Sequence, residues 1–205
     1  MPLSTEEGTA AVALARRTLD AAVSGKQIAA RSFSQGTFSD LRGVFVTINL
    51  ADPAPEKLRG CIGFPYPMKP LGEAIQEATV AAATEDPRFP SVSKGELDHV
   101  VVEVSILTKP TPIDAPRRQD LPSRVRIGTD GLIISRFGQS GLLLPQVATE
   151  FGMDEIEFLS QACMKAGLPP DSWLDRETDV QAFQAEIFAE TSPRGRVTRL
   201  SPPGS

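Results

Sequence analysis

Cysteine and histidine are nearly absent from this chain: two cysteines, Cys61 and Cys163, stand far apart, and His99 is the single histidine. A zinc site needs three or four Cys, His or carboxylate ligands, usually at short spacings. No metal site is therefore expected, and no cofactor. There is no Cys-x-x-Cys pair, and with so few thiols a disulfide framework is excluded. Long apolar runs are also lacking, none approaching the roughly 20 residues that span a bilayer. The opening Met1-Pro2-Leu3-Ser4-Thr5-Glu6-Glu7 has neither a basic nor an apolar region, so no secretory signal is expected and the cytoplasm is the simplest compartment. Nucleotide fingerprints, Gly-x-Gly-x-x-Gly after a strand or a phosphate loop ending in Gly-Lys-Ser/Thr, are missing.

A net basic balance is lacking: acids outnumber bases, 26 to 21. The net charge is −5, yet the stretch from Thr191 carries Arg194, Arg196 and Arg199 and no acid. The rest is thus more acidic still, which argues against nucleic acid as a partner. The basic tail, 191–205, is polar and proline-containing, and is expected to be disordered.

What is there is an ordinary globular composition, 40% hydrophobic and 23% charged. Ser4 and Glu7 form a capping-box spacing, followed by Val12, Ala15 and Leu19 at helical intervals. Residues 43–50 alternate as a strand, with Val44, Val46, Ile48 and Leu50 on one face and Phe45, Thr47 and Asn49 on the other. A proline-containing loop at 52–55 leads to an extended segment at 58–64. A helix is expected over about 71–85, its stripe of Leu71, Ile75, Ala78 and Ala82 narrow enough for another backbone to lie close, and Asp86-Pro87 stops it. Residues 99–107 form the strongest strand. The proline-rich 109–122 reads as a connection. A hairpin is expected over 125–135 around Thr129-Asp130-Gly131, followed by a short strand at 142–144. Asp154 and Glu157 mark a further capped helix carrying Ile156, Leu159 and Cys163 on one face, with Gly167 ending it. Residues 180–190 are read as strand. Helices and strands without a βαβ rhythm indicate an α+β fold, a mixed or antiparallel sheet with packed helices.

The residues that bear chemistry centre on Arg59-Gly60-Cys61-Ile62-Gly63. Gly60 and Gly63 admit close approach of a ligand or a neighbouring strand. In an extended segment Arg59 and Cys61 share a face, and a guanidinium beside a thiol favours the thiolate. The alternative is a small cysteine in a tightly packed place. Asp86, Arg88 and Phe89 within Asp86-Pro87-Arg88-Phe89-Pro90 are either an anion clamp or a helix stop with an internal ion pair. Glu103 sits on the mixed face of its strand and needs water, a cation or donors. It is a candidate base for Cys61 or an ion-pair partner for Arg59. If the strands at 43–50 and 99–107 share a sheet, the polar faces of both converge. Gln146 offers an amide to a ligand or caps a turn. His99, Cys163, Lys165 and Trp173 are read as a strand-end residue, a core residue, a helix-dipole partner and a loop anchor.

Leu58-Arg59-Gly60-Cys61-Ile62-Gly63 resembles the signature of the AMMECR family. The resemblance extends through Gly43-Val44-Phe45-Val46-Thr47, Asp86-Pro87-Arg88-Phe89-Pro90, Glu103-Val104-Ser105-Ile106-Leu107, Leu142-Leu143-Leu144-Pro145-Gln146-Val147, Glu157-Phe158-Leu159 and Lys165-Ala166-Gly167-Leu168. It covers most of residues 5–190. It implies a domain over 1–190 with a larger and a smaller lobe, the latter expected around 109–150, and a cleft near the hexapeptide. It also implies the company of a Memo-type protein and a radical S-adenosylmethionine enzyme, and it carries no particular reaction. Two functions follow as expectations. One is an enzyme, or enzyme subunit, acting on a small anionic substrate with Cys61 and Glu103 catalytic and Arg59, Gly60, Gly63, Asp86, Arg88, Phe89 and Gln146 binding. The other is a non-catalytic protein that holds a ligand or docks a partner enzyme.

Overall fold

The computed structural model describes residues 2–26, 36–51 and 57–200. In chain order the elements are α1 (Thr5–Val23), β1 (Val44–Leu50), β2 (Leu58–Phe64), α2 (Leu71–Thr84), β3 (Val100–Leu107), β4 (Thr111–Pro112), β5 (Gly131–Arg136), β6 (Gln139–Leu143), α3 (Pro145–Glu150), α4 (Glu155–Lys165), β7 (Asp179–Phe183), β8 (Ala185–Glu190) and β9 (Val197–Leu200). The proline-containing loop at 52–55 lies outside the described residues. The chain divides into two compact units: Met1–Leu107 with Glu186–Leu200, and Thr108–Ala185. Both sheets pair antiparallel wherever their registers are given, so the fold is α+β.

The first unit carries a five-stranded sheet in the order β2-β1-β3-β8-β9. The capping box forms as the spacing predicts: the amide of Glu7 donates to Ser4 Oγ at 3.1 Å and the amide of Ser4 to Glu7 Oε2 at 2.7 Å. Helix α2 packs on β1 and β2, and α1 on β3 and β9. Between them lies one apolar core in which Val44, Val46 and Ile48 of β1, Val100, Val102, Val104 and Ile106 of β3, and Leu71, Ile75 and Ala78 of α2 are fully or almost fully buried. Strand alternation therefore sends Phe45, Thr47, Glu103 and Ser105 to the opposite face.

The second unit carries a four-stranded sheet, β4-β7-β5-β6. Leu132 and Ile134 pack with Phe158, Leu159, Ala162 and Cys163 of α4 in a second core. The buried face of α4 includes Phe158 in place of the expected Ile156, which is 54% exposed in the first turn. The expected hairpin over 125–135 is displaced: β5 pairs with β6, and the chain reverses at Phe137-Gly138, with φ of 49° and 83°. The Asp130 signal does mark a turn. Its carboxylate binds the Arg126 amide and guanidinium and closes a loop ahead of β5.

The expected disorder from Thr191 is also corrected, for residues up to Leu200. Strand β9 pairs with β8, Phe188 opposite Arg199 and Glu190 opposite Val197. Two of the three arginines that made this stretch look like a solvated tail are bound to acids. Arg194 pairs with Asp20 and Asp98, and Arg199 pairs with Glu186 and stacks on Phe188.

Candidate functional site

The hexapeptide is edge strand β2, and its two glycines are explained by packing. A Cβ on Gly60 would stand 2.2 Å from the Ala82 carbonyl oxygen of α2, and one on Gly63 would stand 2.3 Å from the Val44 oxygen. The close neighbours are a helix and a strand, so neither glycine has ligand-sized room on its Cβ side. A register shift between Ile48 and Asn49 bulges β2 beside Arg59.

From this edge inward, the register builds a row. Thr47 lies opposite Cys61 on one side and opposite Glu103 on the other. Cys61, Thr47 and Glu103 thus form one cross-strand line on the sheet face turned away from the helices. The polar faces of β1 and β3 do converge. The Thr47 hydroxyl donates to Cys61 Sγ at 3.3 Å. Cys61 is a part-buried free thiol. Burial pushes its pKa up, against the lowering effects of the Thr47 bond and the Arg88 charge, so the resting group is the thiol. Glu103 is part-buried too, and desolvation raises its pKa. Among the described residues no hydrogen bond reaches its carboxyl.

Asp86 and Arg88 close the open edge of β2 at Cys61. The Cys61 amide donates to Asp86 Oδ2 at 2.9 Å, and Arg88 Nη2 donates to the Cys61 carbonyl at 3.3 Å. Arg88 also binds both Asp86 oxygens, through Nε at 3.0 Å and Nη2 at 2.8 Å. These bonds satisfy the peptide groups that a further strand would otherwise take. Asp86 is 4% exposed, and its bonds from Arg88 and from backbone amides hold its carboxyl far below the ordinary carboxylate range. The Arg88 side chain is half exposed, and its Nη1 takes no part in these bonds.

Arg59 is turned to a different task. It is 8% exposed, and its guanidinium donates to Glu96 Oε1 at 2.7 Å, to the Pro90 carbonyl at 2.8 Å and to the Ser91 carbonyl at 3.3 Å. Its partner is Glu96, where pairing with Glu103 was one expectation, and the cation acting on Cys61 is Arg88. Arg59 pins the segment after α2 against β2, and the Phe89 ring centre lies 6.0 Å from the Arg59 guanidinium and 5.5 Å from that of Arg88. Hydrogen bonds from Arg59 and Ser93 lower Glu96 to about 2.

Gln146 stands in the first turn of α3, in the second unit, and is not brought into the row by any contact of its own unit. His99 is exposed just before β3. Cys163 and Trp173 are buried in the second core, and Lys165 ends α4. Thr47, expected on the converging polar face, is the link of the row; Glu96 is the residue to which the sequence alone assigned no role. Ser93-x-x-Glu96 is itself a capping-box spacing, formed in the structure, and would have flagged Glu96 as a held carboxylate. Among the described residues no group of three or more His, Cys, Asp or Glu is placed to hold a metal ion.

The AMMECR1 family model matches residues 12–188. The chain belongs to the AMMECR1 family. A relative in Thermococcus onnurineus is 49% identical over 199 residues, 96% of this chain and 97% of that protein. Another, in Methanothermobacter thermautotrophicus, is 50% identical over 190 residues, 92% and 97%. The crystal structure of the uncharacterized protein PH0010 from Pyrococcus horikoshii matches with a TM-score of 0.84 at 47% identity, covering 97% of this chain and 98% of that one. No helix among the described residues is long and apolar enough to cross a membrane.

Proposed function

We propose that this AMMECR1 protein is an enzyme, or the substrate-handling subunit of one, acting on a small anionic substrate at the Cys61–Thr47–Glu103 row. The observation that carries the reading is the row itself, with a desolvated carboxyl at one end that no described residue satisfies. Partial burial raises its pKa, and perturbed carboxyls cluster where chemistry is done. A raised pKa also makes Glu103 a better base than an ordinary carboxylate. In this reading Cys61 Sγ attacks a carbonyl carbon, the C–S bond forming as the C=O π pair moves onto oxygen; the thiol proton passes to Glu103, and Thr47 orients the sulfur. Asp86 and Arg88 fix the Cys61 peptide, and Arg88 Nη1 receives the substrate's negative charge.

Alkylation of the folded protein tests this. Iodoacetamide should modify Cys61 faster as pH rises, while buried Cys163 stays unmodified. Anionic iodoacetate should lose more rate than neutral iodoacetamide in Arg88→Ala. A Cys61 inert to both reagents up to about pH 9, above the free thiol's usual pKa, defeats the nucleophile.

A second reading is favoured by the absence of any resting thiolate: the same face holds a ligand, or docks a Memo-type or radical S-adenosylmethionine partner, without chemistry of its own. Inert Cys61 together with partner binding lost in Glu103→Lys supports that alternative.

A further inference from the structure

The second unit contains a cavity of about 460 Å³ that the Cys61 row does not use. Lys109, Thr111, Asp114, Arg124 and Arg126 line it, with Phe183 and Ile113 supplying apolar wall. Its floor is a satisfied polar network. Asp130, 3% exposed, accepts from the Arg126 amide at 3.0 Å, from Arg126 Nε at 3.1 Å and Nη2 at 2.9 Å, and from Gln184 Nε2 at 3.1 Å. Gln184 is held in turn by Thr108, its amide donating to Thr108 Oγ1 at 2.9 Å and its carbonyl accepting from the Thr108 amide at 2.8 Å. The lone pairs of Asp130 are thus spent inside the floor, and Arg126 is locked with Nη1 outside that network.

Lys109 and Arg124 remain. Both are exposed, and neither has an ion pair among the described residues. The acid whose pKa Arg124 helps lower, Asp120, is already gripped by Arg117 through bonds of 3.0 and 2.8 Å. In a chain of net charge −5, a pocket with two unpaired cations and a pinned guanidinium is built for an anion. Asp114 and the Thr111 hydroxyl on the same wall do not suit a bare anion, but they suit hydroxyl groups attached to one. The volume falls within the range of small-molecule sites, roughly 300–1,000 Å³.

We propose that this cavity binds a small hydroxylated phosphate ester, its phosphate against Lys109, Arg124 and Arg126 and its hydroxyls toward Asp114 and Thr111. The site is independent of the Cys61 row. It uses side chains from separate segments of the chain, which is why no phosphate-loop motif announces it.

Calorimetric titration of the full chain with ribose 5-phosphate, ribose and inorganic phosphate tests the proposal. Ribose 5-phosphate should bind saturably, at least about tenfold more tightly than ribose, one charge-assisted contact being worth that factor. Lys109→Ala with Arg124→Ala should weaken both phosphate ligands by tenfold or more without moving the melting temperature, since neither side chain is paired. Asp114→Asn should reduce the advantage of ribose 5-phosphate over inorganic phosphate. The site is refuted if no phosphate ligand saturates by about 10 mM, or if the double substitution leaves both affinities unchanged. An equal affinity for ribose 5-phosphate and inorganic phosphate refutes the assigned ligand class.

Discussion

Asp86 Oδ2 accepts the amide hydrogen of Cys61 at 2.9 Å, so a side chain stands where a neighbouring strand would be. The same carboxylate is gripped twice by Arg88, which returns a hydrogen bond to the Cys61 carbonyl. A helix-stop motif and a hexapeptide distant in sequence are thereby one device, a closed edge that fixes the backbone under the thiol. Asp86→Ala leaves a part-buried amide without an acceptor. It should cost about 2 kcal/mol in urea unfolding and free Cys61 to react faster with iodoacetamide. A Cys61 rate that does not change would show that the edge is closed by other means.

Glu103 has the opposite electrostatics. Burial raises its pKa in the folded state, so its contribution is most favourable below the unfolded pKa and is lost as pH rises through the folded value. Glu103→Gln should therefore stabilise the protein by about 1 kcal/mol near pH 7, the usual scale of a desolvated polar group in mutational data. The gain should vanish near pH 4. Equal effects at both pH values would rule out a desolvated charge.

Glu96 gives the complementary signature. Arg59 and Ser93 bring it down to about 2 from an ordinary value of 4.5. The stability it supplies is present above about 4.5 and is lost as pH falls toward 2. Glu96→Gln should flatten the pH dependence of unfolding across that window and leave the region above pH 6 parallel to wild type. Urea midpoints at several pH values measure this directly.

Gly60 tests the packing account of the hexapeptide. With the Ala82 oxygen 2.2 Å from the site of a Cβ, Gly60→Ala must push β2 away from α2. The expected cost is at least about 2 kcal/mol, the scale of overpacking in a core. A fully stable Gly60→Ala variant would mean that the glycine serves something other than helix contact.

The local features were readable because their causes are local. The Ser4–Glu7 box, the alternation of β1 and β3, the alanine stripe of α2 and the Asp154–Glu157 box each follow from residues within a few positions of one another. The β5–β6 turn was misplaced because Phe137 occupies a left-handed position that asparagine or glycine usually signals, while Asp130-Gly131 gave that signal for a loop. β9 was hidden because Arg199 within it and Arg194 ahead of it meet their carboxylates only after β8 and α1 are assembled.

For the hexapeptide, the sequence by itself determined the family, the strand and the need for two glycines. Tertiary structure alone decided that Arg59 belongs to Glu96, that Arg88 and Asp86 belong to the Cys61 peptide, and that Thr47 joins Cys61 to Glu103. The reason is physical. Periodicity fixes which face a side chain takes, but which charge meets which depends on strand register and on the reach of a guanidinium across chain segments that only folding brings together.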